Sequence, residues 1–255
     1  MNGDAELWLR SFRPRPGARV RLVCLPHAGG NAAFYRPWAT ALPAWAELVA
    51  VQYPGRQDRL DEPCVEDMDT MAALIADALV RWVRGPLALF GHSMGGVIAF
   101  EVARRLEVRP GRGPQRLFIS GRQPAQYHRR VTVDLGDDDA LWAELRRLGG
   151  TGGEALDNPV LRTLALPAIR GDYRLVDRYR PGPARPLSTP ITALVGDVDP
   201  EVTVAEAAGW RQHTADDFVL RVLPGDHFYL VPQHAAVLRE VAEGLAAVPV
   251  RDAGP

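Results

Sequence analysis

Short apolar runs alternate with segments in which apolar residues recur at helical spacing along most of the chain. The apolar runs predict six buried strands, at residues 20–25, 48–53, 87–90, 117–120, 191–195 and 218–223. The helical spacing predicts helices between and after them, chiefly at residues 68–83, 97–106 and 235–247. Because strands and helices alternate in this way, we expect an α/β fold whose mostly parallel sheet is covered by helices.

One long stretch, residues 123–187, interrupts this alternation because it contains no strand pattern. A loop of that length without secondary structure is unusual in a compact domain. Apolar residues at helical spacing predict two helices within it: Leu141, Trp142, Leu145 and Leu148 in the first, and Val160, Leu161, Leu164 and Leu166 in the second. We therefore expect one domain over residues 1–255 with a helical insertion at about 123–187. A hinge is predicted at residues 149–153 and a frayed tail from Val248.

Charge and composition exclude several classes of protein. The chain has 255 residues, 47% of them hydrophobic, and its 30 basic and 31 acidic residues give a net charge of −1. A nucleic-acid-binding protein is typically far more basic. The N-terminus lacks the basic and apolar regions of a signal peptide, and no apolar run approaches the length of a membrane span. We therefore expect a cytoplasmic protein, in which Cys24 and Cys64 need not form a disulfide.

The strongest chemical signal is the segment Gly91-His92-Ser93-Met94-Gly95-Gly96, which follows a predicted strand and precedes a predicted helix. This context is typical of a nucleophile elbow, in which a serine occupies a sharp, strained turn. Small residues are needed two positions before and after the serine, and glycines stand at both. The segment therefore predicts Ser93 as a nucleophile, with the following helix directing its N-terminal amides at the substrate.

A serine hydroxyl needs a general base, and the best candidate is His227. It directly follows the last predicted strand, so its loop lies at the same sheet edge as Ser93. The other histidines belong to different motifs or to polar surroundings that predict a surface position: His27, His92, His128, His213 and His234.

A carboxylate should orient the base, and Asp197 and Asp199 both follow the predicted fifth strand. The resulting order of serine, aspartate and histidine matches that of α/β-hydrolases. Asp226 is a poor candidate because the side chains of adjacent residues seldom face each other. Spacing alone does not choose between Asp197 and Asp199.

Backbone amides are expected to form an oxyanion hole for the tetrahedral intermediate. Met94, which follows the nucleophile, should supply one donor, and the glycine-containing loop at residues 25–31 should supply the second. A further turn, Tyr53-Pro54-Gly55-Arg56, is predicted as a tight turn with a solvated arginine. No zinc spacing, phosphate loop or dinucleotide fingerprint is present, so we expect neither a metal nor a bound cofactor.

Taken together, these segments resemble type II thioesterases, the stand-alone editing hydrolases of polyketide and nonribosomal peptide synthesis, over about residues 20–245. The elbow occurs in many esterases, whereas other matching segments occur in a much smaller set of proteins. These include the turn ending in Arg56 and the segment Leu166-Pro167-Ala168-Ile169-Arg170-Gly171-Asp172.

The resemblance implies roles that spacing does not. It selects Asp199 as the acid beside Ser93 and His227, and it makes Ala28 the second oxyanion donor beside Met94. It makes residues 123–187 a mobile lid over an acyl pocket. It also implies an acyl substrate on the phosphopantetheine arm of an acyl or peptidyl carrier protein, with no other cofactor, and a role in clearing stalled or aberrant acyl groups.

Several alternatives share the same motifs. A general carboxylesterase would have the same three side chains and a different pocket, and a medium-chain fatty acyl thioesterase is closer still. An acyltransferase would exclude water and admit another nucleophile. A catalytically inactive hydrolase used as a receptor or scaffold should have lost one of the three residues. No nucleic acid or membrane partner is expected, and the default oligomeric state is a monomer.

Overall fold

The computed structural model describes residues 7–148, 158–182 and 185–246. The predicted hinge at residues 149–153 and the predicted tail from Val248 lie outside these ranges.

A seven-stranded sheet forms the centre of the fold, in the spatial order β1-β3-β2-β4-β5-β6-β7. Its strands are β1 (Leu9–Ser11), β2 (Val20–Leu25), β3 (Ala46–Val51), β4 (Leu87–His92), β5 (Leu117–Ser120), β6 (Ile191–Gly196) and β7 (Phe218–Leu223). All neighbouring pairs are parallel except β1 and β3. The predicted α/β class with a mostly parallel sheet is therefore confirmed. Strand β1 was missed because three residues are too few to show a period.

The described ranges include the α-helices α1 (Arg36–Ala41), α2 (Met68–Trp82), α3 (Met94–Glu107), α4 (Asp138–Leu148), α5 (Pro159–Arg178), α6 (Val204–Ala208) and α7 (His234–Ala246). Short 3-10 helices occur at Ala32–Tyr35, Gln57–Arg59, Ala125–Tyr127 and Gly209–His213. Helix α2 begins after Asp67, whose side chain accepts a hydrogen bond from the Thr70 amide and caps the helix. Helix α3 begins three residues earlier than predicted, directly after Ser93.

Apolar side chains leave the sheet on both faces and form two cores. In β2, Val23 and Leu25 pack into the core beneath α2 and α3. Leu22 and Cys24 of the same strand pack on the opposite face, against α1 and α7. This alternation follows from the two-residue period of a strand. Helices therefore cover both faces of the sheet, and polar loops occupy the edge at the carboxyl ends of its strands.

The insertion at residues 123–187 contains the two predicted helices, α4 and α5. They pack on each other through a small apolar cluster that contains Leu141, Trp142, Leu145, Leu166 and Ile169. The second helix buries a different face from the one its apolar pattern suggested. Val160, Leu161 and Leu164 are 66%, 47% and 46% exposed, and only Leu166 of that set is buried.

Two further expectations concern cysteines and membranes. Cys24 and Cys64 are both free thiols. Among the helices of the described ranges, none combines the length and the apolar character that crossing a membrane requires.

Candidate active site

Ser93 stands at the turn between β4 and α3, with φ 53° and ψ −118°. This is a region of backbone conformation that residues with side chains rarely adopt. A Cβ atom on Gly91 would collide with the Gly95 carbonyl, and one on Gly95 would collide with the Leu25 carbonyl. The two glycines of the predicted elbow are therefore required by close backbone approaches on both sides of the serine.

The His227 imidazole contacts this serine, with Nε2 lying 3.0 Å from Ser93 Oγ. His227 is buried, and it follows β7 in a loop at the carboxyl edge of the sheet. The neighbouring Asp226 turns away and accepts a hydrogen bond from the Phe228 amide at 2.9 Å. Asp226 thus shapes the histidine loop and does not contact the imidazole.

The other side of the His227 ring contacts Asp199. Nδ1 lies 3.0 Å from Oδ1 and 2.9 Å from Oδ2 of the carboxylate. Asp199 also accepts hydrogen bonds from the amides of Glu201 and Val202, at 2.8 and 3.3 Å. Because the carboxylate is buried and held by two amides, it fixes the orientation of the imidazole.

Asp197, the alternative that spacing left open, has a different set of contacts. Its Oδ1 accepts a hydrogen bond from the Gly225 amide at 2.8 Å, and its own amide donates to the Leu223 carbonyl at 2.9 Å. Asp197 therefore ties the end of β6 to the loop that carries His227. The structure brings Ser93, His227 and Asp199 together and leaves Asp197 outside this chain of hydrogen bonds.

The two predicted oxyanion donors, Ala28 and Met94, line the same cavity as Ser93. In the loop after β2, the Gly30 amide donates to the His27 carbonyl, and the Gly29 amide donates to the Asp172 carboxylate. Within the described residues, the amides of Ala28 and Met94 donate to no protein acceptor. Met94 is also the first residue of α3, where the helix dipole favours negative charge.

Two more histidines are buried beside this site. His92 Nδ1 lies 2.9 Å from Ser120 Oγ, which in turn lies 2.6 Å from the Tyr229 hydroxyl. Burial lowers the pKa of His92 well below its usual value, and burial together with His227 and Arg56 lowers the pKa of His27 to about 3. Both rings are therefore neutral near pH 7.

The remaining three histidines, predicted at the surface, are half-buried, and none of them lines the cavity that contains Ser93. They are His128, His213 and His234.

The prediction of a solvated Arg56 was wrong. Arg56 is 6% exposed, and its guanidinium forms a two-point ion pair with Asp172 of α5, with both N–O distances 2.7 Å. Sequence reasoning assigned no role to Asp172. A signal existed, because Asp172 lies three residues from Ile169 and from Leu175, on the buried face of α5. A carboxylate at such a position requires a partner.

The cavity at Ser93 has a volume of about 320 Å³ and extends beneath the insertion. Its apolar lining comes mainly from the insertion: Val131, Val133, Leu145, Leu148, Tyr173 and Val176. Several charged residues line it too, namely Arg122, Arg129, Arg130, Glu144, Arg147 and Glu201. Burial lowers the pKa of Arg122 to about 10, against the opposing effects of Tyr179 and Glu201. The cavity therefore offers a group bound beside the Ser93 hydroxyl a lining that is partly apolar and partly charged.

Within residues 7–148, 158–182 and 185–246, no group of three or more histidine, cysteine, aspartate or glutamate side chains is placed to hold a metal ion.

Known proteins similar to this chain include biosynthetic thioesterases. A probable cadicidin biosynthesis thioesterase of Streptomyces griseus is 46% identical over 241 residues, which are 94% of this chain and 66% of that relative. Thioesterase PikA5 of Streptomyces venezuelae is 43% identical over 246 residues, 96% of this chain and 88% of that protein. The solved structure of BorB, a type II thioesterase from the borrelidin biosynthetic cluster, matches with a TM-score of 0.88. That match has 47% identity and covers 94% of this chain and 98% of BorB.

The family described as "Thioesterase domain" matches residues 20–245, which is most of the chain. This extent agrees with the range over which the sequence motifs resemble type II thioesterases. The resemblance is therefore confirmed, and the chain belongs to the thioesterase family.

Proposed function

We propose that this protein hydrolyses acyl thioesters on the phosphopantetheine arm of carrier proteins and thereby removes stalled or aberrant acyl groups from a biosynthetic assembly line. The observation that carries the proposal is the continuous contact Ser93–His227–Asp199 at the wall of a cavity lined by apolar and charged side chains. The relatives named as biosynthetic thioesterases support it.

In the first half of the reaction, Ser93 Oγ attacks the thioester carbonyl carbon while His227 Nε2 accepts the hydroxyl proton. The Ala28 and Met94 amides bind the resulting oxyanion, and Asp199 stabilises the imidazolium. The carbon–sulfur bond then breaks, and the proton held by His227 passes to the departing sulfur. The products of this half are the free thiol of the arm and an acyl ester on Ser93.

In the second half, water replaces the thiol. His227 accepts a proton from the water, and the water oxygen attacks the acyl carbon. The Ala28 and Met94 amides bind the second oxyanion. The bond to Ser93 Oγ breaks, and His227 returns the proton to the serine. A carboxylic acid leaves, and the enzyme is restored without a metal or any cofactor beyond the arm on the partner.

A thioester needs less general-acid assistance from these residues than an amide or an oxygen ester does. A thiol has a pKa of about 8.5, so a thiolate leaves far more readily than the anion of an amine or an alcohol. The general-acid step at His227 is therefore less critical than in a protease, and oxyanion binding carries more of the catalysis.

The insertion at residues 123–187 is proposed as the lid of a single-domain enzyme. Its apolar side chains form one wall of the cavity, so movement of α4 relative to α5 would change the room for the acyl group. The same proposal makes acyl or peptidyl carrier proteins the partners of a monomeric, cytoplasmic enzyme.

The test follows one acyl group on three carriers: a holo-carrier protein, coenzyme A and a simple alcohol. Hydrolysis is measured by mass spectrometry for the unchanged protein, with Ser93→Ala as the blank. A clear preference for the carrier-protein thioester is the expected result. Comparable or faster hydrolysis of the oxygen ester would instead indicate a general carboxylesterase.

A series of acyl lengths on one carrier protein addresses the second alternative, a medium-chain fatty acyl thioesterase. The volume of the cavity is compatible with short and medium chains. A sharp maximum at medium length, without preference for short or branched groups, would favour that alternative over an editing role.

A further inference from the structure

A buried ion pair connects the insertion to the loop that carries one oxyanion donor. Arg56 and Asp172 lie 116 residues apart in the chain, and their side chains are 7% and 1% exposed. Arg56 Nη1 and Nη2 donate to Asp172 Oδ2 and Oδ1, each at 2.7 Å. Both groups are therefore withdrawn from water and rely on each other for charge compensation.

Both partners also hold the backbone of the loop after β2. Asp172 Oδ2 accepts a hydrogen bond from the Gly29 amide at 2.8 Å. Arg56 Nη1 donates to the Gly30 carbonyl at 3.0 Å. Ala28, the proposed donor, directly precedes Gly29, so these bonds fix the peptide planes next to its amide.

Packing restricts the same loop from the insertion side. Gly29 has φ +74°, and a Cβ atom on it would lie 2.9 Å from Ile169 Cγ1. Ile169 and Asp172 are one helical turn apart on α5, so the apolar contact and the hydrogen bond reach Gly29 from one helix face. Helix α5 also lies close to Cys64 at this point, because a Cβ on Gly171 would lie 2.7 Å from Cys64 Cβ.

The arrangement also decides which amides can serve the substrate. The Gly29 amide is engaged by Asp172 and the Gly30 amide by His27, which leaves the neighbouring Ala28 amide available to the substrate. Asp172 places a negative charge next to the loop that carries the Ala28 amide, because its carboxylate accepts from the Gly29 amide. Arg56 neutralises that charge, so the loop can be anchored by a carboxylate without repelling the intermediate.

We propose that Arg56 and Asp172 are positioning residues that anchor the oxyanion loop to helix α5 and keep the Ala28 amide aimed at the substrate carbonyl. The inference rests on the proposed Ser93 chemistry. It predicts that catalysis depends on the hydrogen bonds of this pair to the loop, beyond any contribution of the pair to folding.

Removing one partner alone would leave a buried unpaired charge and could prevent folding. The test therefore compares two uncharged double variants. Arg56→Gln with Asp172→Asn keeps an oxygen acceptor for the Gly29 amide. Arg56→Met with Asp172→Leu has similar side-chain size and no acceptor. The control is Arg170→Met with Asp138→Leu, which removes an ion pair between α5 and α4 that does not touch the oxyanion loop.

Two measurements separate positioning from a purely structural role. The first is kcat on p-nitrophenyl acetate, whose acetyl group is too small to need the acyl cavity. The second is the inhibition constant of a trifluoromethyl ketone, because addition of Ser93 to it forms an oxyanion that must be bound by Ala28 and Met94. Urea unfolding of each variant shows whether folding has changed.

The apolar double variant should lose about 100-fold in kcat and a similar factor in affinity for the ketone. The Gln/Asn variant should recover most of the activity and ketone affinity that the apolar variant loses, and the control should remain close to the unchanged protein. A folded apolar variant with unchanged kcat and ketone affinity would overturn the inference while leaving the proposed function intact. Absence of Ser93-dependent hydrolysis in the unchanged protein would overturn both.

Discussion

Asp197 Oδ1 lies 2.8 Å from the amide nitrogen of Gly225, two residues before the histidine that Asp199 contacts through its side chain. The two aspartates thus act on one loop in different ways. Asp197 holds its backbone, and Asp199 holds the imidazole of His227. Because the contacts differ, we expect loss of charge to have different effects at the two carboxylates.

Replacement of Asp199 by Asn should lower kcat by about 10⁴-fold, because an amide cannot stabilise the imidazolium and favours the wrong tautomer of His227. Asp197→Asn should stay close to the unchanged protein, since the Asn Oδ1 can still accept from the Gly225 amide. Steady-state hydrolysis of one thioester by both variants decides between them. A larger loss in Asp197→Asn would show that the role of orienting acid has been given to the wrong residue.

Ser93 has a backbone conformation that favours glycine, which makes a second comparison informative. Ser93→Ala and Ser93→Gly should both form no acyl-enzyme, as judged by mass spectrometry of the intact protein. The glycine variant should be the more stable by about 1 kcal/mol in urea unfolding, because it relieves strain at φ 53°.

The matched control for this pair is Ser188, which is exposed and has no positive φ. There, glycine should be less stable than alanine, because glycine gains more conformational freedom on unfolding. If glycine has the same effect at both positions, the turn at Ser93 stores no strain.

The active-site edge could be predicted from sequence because its signals are local. The elbow is six consecutive residues, and His227 follows directly on a strand with a clear apolar pattern. The parallel sheet then brings the ends of β4, β6 and β7 to one edge, so residues distant in sequence become neighbours through topology alone.

The connection between Arg56 and Asp172 could not be predicted in the same way. Nothing near Arg56 distinguishes a buried arginine from a solvated one, because its partner lies in an insertion whose placement depends on tertiary packing. The choice between Asp197 and Asp199 likewise depends on the path of a loop and not on spacing. Local patterns also misjudged α5, whose exposed Val160 and Leu161 suggest a buried face as strongly as Leu166 does.

A third prediction concerns the volume of the cavity that would hold the acyl group. Val176 of α5 lines the cavity, so Val176→Phe should reduce its volume. The ratio of kcat/KM for a decanoyl thioester to that for an acetyl thioester should fall by about tenfold, since each methylene excluded from an apolar pocket costs about 1–3 kcal/mol. Leu161→Phe, on an exposed face of the same helix, is the control and should leave the ratio unchanged. A parallel fall in both substrates would indicate disturbed folding and not a smaller pocket.

The buried His27 should make the folded state sensitive to acid. Its pKa is lowered to about 3 in the folded protein, first by burial and then by His227 and Arg56, whereas an unfolded histidine has a pKa of about 6.5. Between these values the unfolded chain binds one proton more than the folded one, so stability rises with pH and is lost as pH falls below about 6.5. Each such histidine contributes a slope of about 1.4 kcal/mol per pH unit.

His27→Phe removes the titrating group and keeps an aromatic ring between Phe34 and Phe228, which pack edge-on against it. The free energy of unfolding, measured in urea, should therefore fall less steeply from pH 6 to pH 5 in this variant than in the unchanged protein. The difference between the two slopes should be about 1.4 kcal/mol per pH unit. His92 contributes with the same sign, so the slope should shrink and not vanish. Identical slopes for the variant and the unchanged protein would mean that His27 takes up its proton in the folded state, and that its burial does not hold it neutral.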